Sequence, residues 1–283
     1  MVSCKIIAAL LAIGRPSEPK PTTISKQLTT YEVCLSPGCV ADGAQETLEK
    51  LQALAPPNVI VKAGSCSSFC GSGPVVLGSG ETTSKHRKVS GKKVLELLFP
   101  DAGDMRPSVE LVGGYELVLQ ADQVFSKKDY ATAVQLYEQA LALAFRPAMV
   151  LQTARDQMQR DYIDESSTTA IAVTKQPIGL QWLIRARCNE ASAKLELGDV
   201  DGALFAAQGA CNLSRNTNAA SFQVLSHVYQ RKKDTAGELQ ALQTMFALPV
   251  SDESKLSFSE QNRRREFGFR LQKLEREKKQ QVS

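Results

Sequence analysis

The first third of the chain alternates short apolar runs with one amphipathic stretch. The runs at residues 31–33, 59–61 and 75–77 contain β-branched or aromatic side chains and predict strands. Between the first two runs, residues 42–54 carry apolar side chains three or four positions apart, which predicts a helix. The two prolines at 56–57 end that helix, because proline has no backbone N–H and clashes with the preceding turn.

Two further segments complete this unit. Residues 85–89 predict a hairpin partner for the third strand, and residues 92–99 predict a closing helix. The order over residues 31–100 is therefore β-α-β-β-β-α, which fits a small α/β domain. Residues 101–111 are the predicted linker between this domain and the C-terminal part of the chain.

The C-terminal part is predicted to be all-helical, and aspartates recur along it at related spacings. Asp129, Asp199 and Asp234 are each followed by small or apolar residues at helical spacing, and they lie 70 and 35 residues apart. Over residues 112–250 this pattern resembles the tetratricopeptide repeat, a helical hairpin of about 34 residues. The resemblance implies a stack of helical hairpins whose groove binds a protein partner. A helical bundle without true repeats is the alternative.

The two ends of the chain differ in composition. Residues 1–30 are basic, rich in hydroxyl side chains and poor in acids, which is typical of a targeting segment. We interpret it as a plastid leader in preference to a mitochondrial one; the alternative is a disordered N-terminus on a cytoplasmic protein. Residues 251–283 predict a charged helix whose Phe267, Leu271 and Leu274 could cap the last repeat.

Charge and hydropathy argue against a nucleic-acid site and against a membrane span. The net charge is only +4 and the charges are well mixed, so nothing indicates a nucleic-acid site. No apolar run approaches about 18 residues, so no membrane span is predicted. His86 and His227 stand alone in the sequence, and no catalytic residue set is predicted.

Seven cysteines are present, and four of them form two close pairs. The spacings are C-x4-C and C-x3-C, and thiolates are soft ligands that suit iron or zinc. Four thiolates complete the coordination of the two irons in a [2Fe–2S] cluster. A four-cysteine zinc site, or cysteines without a metal, are the alternatives. The four residues are Cys34, Cys39, Cys66 and Cys70.

The context of these cysteines makes the pattern more specific. Val33 precedes the first pair, a helix follows it, and the second pair lies in G-x-C-x3-C-x3-P-V-V from Gly64 to Val76. This arrangement resembles the thioredoxin-like [2Fe–2S] ferredoxins, and its spacings are similar to those of the small iron–sulfur subunit of respiratory NADH dehydrogenase. One departure is Ser65, where that family often has glycine.

The resemblance implies a thioredoxin-like fold for residues 31–100, with the four cysteines as cluster ligands. The function implied is an electron-transfer or redox module with a redox partner protein and no catalytic activity of its own. The alternative is an organelle scaffold or assembly factor, in which the four-cysteine site is structural or senses iron or redox state. Cys188, Cys211 and Trp182 are predicted to pack in the helical core.

Overall fold

The computed structural model describes residues 29–66, 73–79, 84–90, 92–99, 107–165, 178–248 and 258–282. The predicted targeting segment, residues 1–30, therefore lies outside the described residues except for its last two positions. Cys70 also lies outside them.

A four-stranded mixed sheet forms the N-terminal part. Its strands are β1 (Thr29–Cys34), β2 (Val59–Gly64), β3 (Val75–Ser79) and β4 (Ser84–Arg87). Their order is β2-β1-β3-β4. β2 runs parallel to β1, whereas β3 is antiparallel to both β1 and β4.

Three helices accompany the sheet: α1 (Pro37–Ala41), α2 (Ala44–Leu54) and α3 (Lys92–Leu98). One face of the sheet is apolar because Val33, Val61 and Val76 are all buried there. The apolar positions predicted for α2, which include Leu48 and Leu51, are buried as well. The sequence prediction of a small α/β unit is confirmed.

The described residues of the C-terminal part form helices joined by short turns. It contains a three-residue 3-10 turn at Ile178–Leu180 and seven α-helices. The helices are α4 (Val109–Ser126), α5 (Tyr130–Glu165), α6 (Gln181–Glu196), α7 (Val200–Leu213), α8 (Ala219–Lys232), α9 (Thr235–Ala247) and α10 (Phe258–Val282).

The turns at the three predicted aspartates have the same construction. Asp129, Asp199 and Asp234 each accept a hydrogen bond from the backbone N–H three residues later, at 3.2, 2.9 and 2.9 Å. Such a bond satisfies an N–H that the first helical turn leaves without a partner. Each preceding residue has a positive φ of 64°, 81° or 60°. The pairs α4–α5, α6–α7 and α8–α9 are thus joined by turns of the same construction.

The last helix covers the end of the helical part. Leu274 is buried, and Phe267 and Leu271 pack against the same apolar cluster. Arg270 makes two hydrogen bonds of 2.7 Å to the buried carboxylate of Glu238 on α9. The predicted apolar side of α10 therefore faces its neighbour, and a two-pronged ion pair fixes its position.

The sheet unit shares one hydrophobic core with α4, α5, α6 and the end of α7, and the later helices form a second apolar cluster. Helix α2 is the junction, because it packs against both α4 and α6. The buried guanidinium of Arg155, on α5, donates to the carbonyl oxygens of Ala53, at 3.4 Å, and Ala55 at the end of α2. These carbonyls have no partner within the helix, so Arg155 caps α2 from the other part of the molecule.

Candidate cysteine site

The first pair of predicted ligands follows directly from the end of β1. Cys34 is the last residue of that strand and lies opposite Gly64, the last residue of the parallel strand β2. Cys66 comes two residues after Gly64. Since parallel strands end at the same edge of a sheet, the backbone brings Cys34 and Cys66 to a common edge.

Helix α1 places the second cysteine of the first pair. Between Cys34 and Cys39 the chain enters a short helix that begins at Pro37. Proline favours the first helical position because its fixed φ is already helical and its missing N–H would have no partner there. Cys39 lies in this helix and is fully buried.

The surroundings of the thiols differ. Cys34 is buried, and its Sγ donates a hydrogen bond to Ser36 Oγ at 3.3 Å. Cys66 is exposed. Two of the predicted ligands are therefore shielded from water, while the third faces solvent.

The second cysteine loop ends at the same edge of the sheet. Residues 67–72, which include Cys70, lie outside the described residues. At the far side of that gap, the N–H of Gly73 donates to Asp42 Oδ2 at 3.2 Å. Because β3 starts just after Gly73 and runs antiparallel to β1, both described ends of the loop lie where β1 ends.

The structure describes three of the four predicted ligands, so their arrangement can be tested against the needs of a metal site. Within the described part of the chain, no three His, Cys, Asp or Glu side chains are arranged to hold a metal ion. Thiols are donors of the chemical kind that a [2Fe–2S] cluster takes, and the pairing of β1 with β2 brings the backbone at Cys34 and Cys66 to one edge. The side chains of Cys34, Cys39 and Cys66 do not by themselves form a closed ligand set.

The other residues singled out in the sequence pack between helices. Cys188 and Cys211 are buried, as predicted, and burial raises their pKa values to about 11 and about 12. Trp182 packs edge-on against Tyr115 between α6 and α4. His227 lies against the ring of Phe267. These residues belong to helix packing.

Sequence reasoning missed the polar contacts that hold the two parts together. Arg185 on α6 pairs with Glu49 on α2 and, at 3.2 Å, with Asp122 on α4. Asp122 also accepts hydrogen bonds from Tyr137, at 2.6 Å, and Asn189, at 2.9 Å. No spacing rule links residues so distant along the chain, so only the fold could reveal them.

No protein-family model matches the chain, and no curated protein is significantly similar to it. Among the described helices, none is both long and apolar enough to cross a bilayer.

Proposed function

We propose that the chain is an iron–sulfur electron-transfer or redox module tethered to a tetratricopeptide-like domain that binds a protein partner. The proposed cluster ligands are Cys34, Cys39, Cys66 and Cys70. The observation that carries this proposal is the common edge at which β1 and β2 end, next to Cys34 and Cys66.

The architecture supports both halves of the proposal. A parallel β-α-β unit followed by an antiparallel hairpin and a closing helix supports a thioredoxin-like interpretation of residues 31–100. Three hairpins with equivalent aspartate-capped turns support the repeat interpretation of the helices. Because α2 packs on α4 and α6, a partner would be expected to use the later helices, α8 and α10.

The residues at the edge would have distinct roles. A [2Fe–2S] cluster, when bound, supplies one-electron transfer. The Ser36 hydroxyl, 3.3 Å from the Cys34 sulfur, could donate a hydrogen bond to the deprotonated thiolate and so raise the reduction potential. The buried Cys34 and Cys39 would lie on the dry side, and the exposed Cys66 would face a redox partner.

Metal analysis of the full chain, purified without oxygen, tests the proposal. We expect about two irons and two acid-labile sulfides per chain. Cys66→Ser should remove the visible absorption and leave the far-UV helix signal nearly intact. Cys211→Ser, in the helical core, is the matched control and should keep its iron. Zinc alone, no metal, or full iron retention in Cys66→Ser would each refute the cluster.

The junction favours a second function, that of a scaffold with a structural or sensing cluster. Helix α2 begins a few residues after the first cysteine pair and packs on α4 and α6. A change at the cysteines could therefore be passed to the helical part. Dithionite reduction followed by reoxidation separates the two functions: an electron carrier regains its full absorption, whereas a structural site bleaches permanently and loosens the helices.

We also propose a plastid location, on the composition of the first 30 residues alone. A fluorescent fusion to that segment tests it. Import into plastids supports the location, and retention in the cytoplasm excludes it.

A further inference from the structure

The first helical hairpin, α4–α5, is covered less completely than the two hairpins that follow it. On the side toward the C-terminus, each hairpin is covered by a later helix: α6 packs on α4 and α5, and α8 packs on α6 and α7. Helix α10 covers the last hairpin in the same way. On its other side, the first hairpin meets α2, which packs on α4. Apolar side chains nevertheless stay exposed along the line where α4 and α5 meet.

These exposed side chains form a continuous strip. A Cβ added at Gly113 would have Leu143 Cδ2 as its nearest neighbour, at 3.4 Å, so these two residues lie side by side. Val109 is one turn before Gly113 on α4, and Val150 is two turns after Leu143 on α5. Because α4 and α5 form an antiparallel hairpin, both steps lead in the same direction. We call the strip of Val109, Gly113, Leu143, Pro147 and Val150 the α4–α5 seam.

The α4–α5 seam is open to solvent. Val109 is 85% exposed, Val150 65% and Leu143 39%. Adjacent apolar side chains with such exposure are typical of a surface that binds another protein. The seam also faces away from α6. Glu138 of α5 pairs with Lys194 of α6 at 2.8 Å, and Leu143, five positions later, lies about 140° further round the helix.

Two properties of the α4–α5 seam suit a second copy of the same chain. A two-fold contact places the same surface on both sides, so that surface must fit itself. None of the five residues of the seam is charged, so two seams can meet without burying an unpaired charge. In addition, Leu143 projects beside the recess that Gly113 leaves, so each copy offers a knob and an adjacent hole.

We propose that two copies of the chain associate through their α4–α5 seams around a two-fold axis, with Leu143 of each copy in the recess at Gly113 of the other. Since Gly113 and Leu143 are neighbours, this arrangement brings the two Leu143 side chains together near the axis. The seam is short, so we expect a weak, reversible dimer with a Kd in the micromolar range. The later helices stay free for another partner, and the dimer does not depend on iron.

Sedimentation velocity of the full chain over a wide range of concentration tests the proposal, with a reductant present to prevent disulfides between copies. We expect the unmodified chain to pass reversibly from monomer to dimer. Leu143→Lys and Leu143→Glu should each raise the dimer Kd about tenfold or more, because like charges meet near the axis. An equal mixture of the two variants should restore the dimer, a gain that misfolding cannot mimic.

A control variant separates the α4–α5 seam from general surface hydrophobicity. Phe205 on α7 is an exposed apolar side chain outside the seam, so Phe205→Lys should leave the dimer Kd unchanged. A monomer at every concentration would overturn the proposal. An equal loss of association in Phe205→Lys, or a mixture of the two Leu143 variants that sediments as monomers, would overturn it as well.

Discussion

At the residue scale, burial governs the chemistry of the cysteines in the helical part. Cys188 Sγ lies 3.7 Å from Ser221 Oγ. Burial raises the pKa of Cys211, and the neighbouring Cys188 raises it further. Removing the thiols from water disfavours the thiolate, which is the reactive form of cysteine. These two residues therefore act as small apolar side chains in the core.

We expect neither Cys188 nor Cys211 to react with iodoacetamide in the folded protein at pH 8, and both to react after unfolding in guanidinium. Peptide mapping by mass spectrometry measures this. Alkylation of either residue in the folded chain at the rate of a free thiol would contradict their assignment to the core.

The same shifts predict a pH dependence of stability. The unfolded chain loses the thiol protons near the ordinary pKa of 9.0, whereas folded Cys188 keeps its proton until the pH reaches its raised pKa of about 11. The contribution of the protonated Cys188 thiol to the free energy of unfolding is complete below pH 9 and is lost as the pH rises through 11. In Cys188→Ala, the free energy of unfolding should fall less steeply with pH between about pH 8 and 11, whatever the absolute stability of the variant. Urea titrations at several pH values measure this slope.

At the scale of elements, the helical hairpins depend on close contact between paired helices. Gly114 on α4 faces α5, where an added Cβ would collide with the Cβ of Ala144 and lie 3.0 Å from the Ala140 carbonyl oxygen. Its neighbour Gly113 has more room, since the nearest atom to an added Cβ is Leu143 Cδ2 at 3.4 Å. The two adjacent glycines thus serve different purposes.

Gly114→Ala should lower the free energy of unfolding by about 1–3 kcal/mol, because overpacking forces α4 and α5 apart. Gly113→Ala should be neutral or gain about 0.5 kcal/mol from better helix propensity. Urea denaturation followed by far-UV circular dichroism compares them. Equal effects of the two substitutions would refute close packing at Gly114.

At the scale of the whole molecule, a few buried polar groups connect the sheet unit to the helices. Arg155 is almost fully buried, and burial lowers its pKa to about 10. The cost of burying this charge is offset by the carbonyl oxygens of Ala53 and Ala55, which would otherwise lack donors. Arg155 therefore links α5 to the end of α2.

Replacing Arg155 with methionine keeps much of the length of the side chain and removes its donors. We expect a loss of about 1–3 kcal/mol in stability, the cost of leaving buried carbonyls unsatisfied. Hydrogen exchange should accelerate in the last turn of α2. Arg160→Met is the control, because Arg160 is exposed and donates to Gln157 on its own helix. Unchanged exchange in α2 would show that Arg155 does not link the two parts.

Periodicity in the sequence determined the elements and the division of the chain into a sheet unit and a helical unit. Leu48 and Leu51 marked the buried side of α2, and the spacing of Asp129, Asp199 and Asp234 marked three equivalent turns. These features are local, because helix spacing, proline stops and capping aspartates act within a few residues. The sequence also placed four cysteines in two pairs.

Tertiary structure alone decided how these elements meet. It aligned Cys34 with Gly64 at one edge, brought Tyr31 beside His86 through the gap at Gly78, and set Arg155 under the end of α2. Each of these contacts joins residues dozens of positions apart. Their partners depend on strand order and on helix packing, which arise from burial summed over the whole core and leave no periodic trace in the sequence.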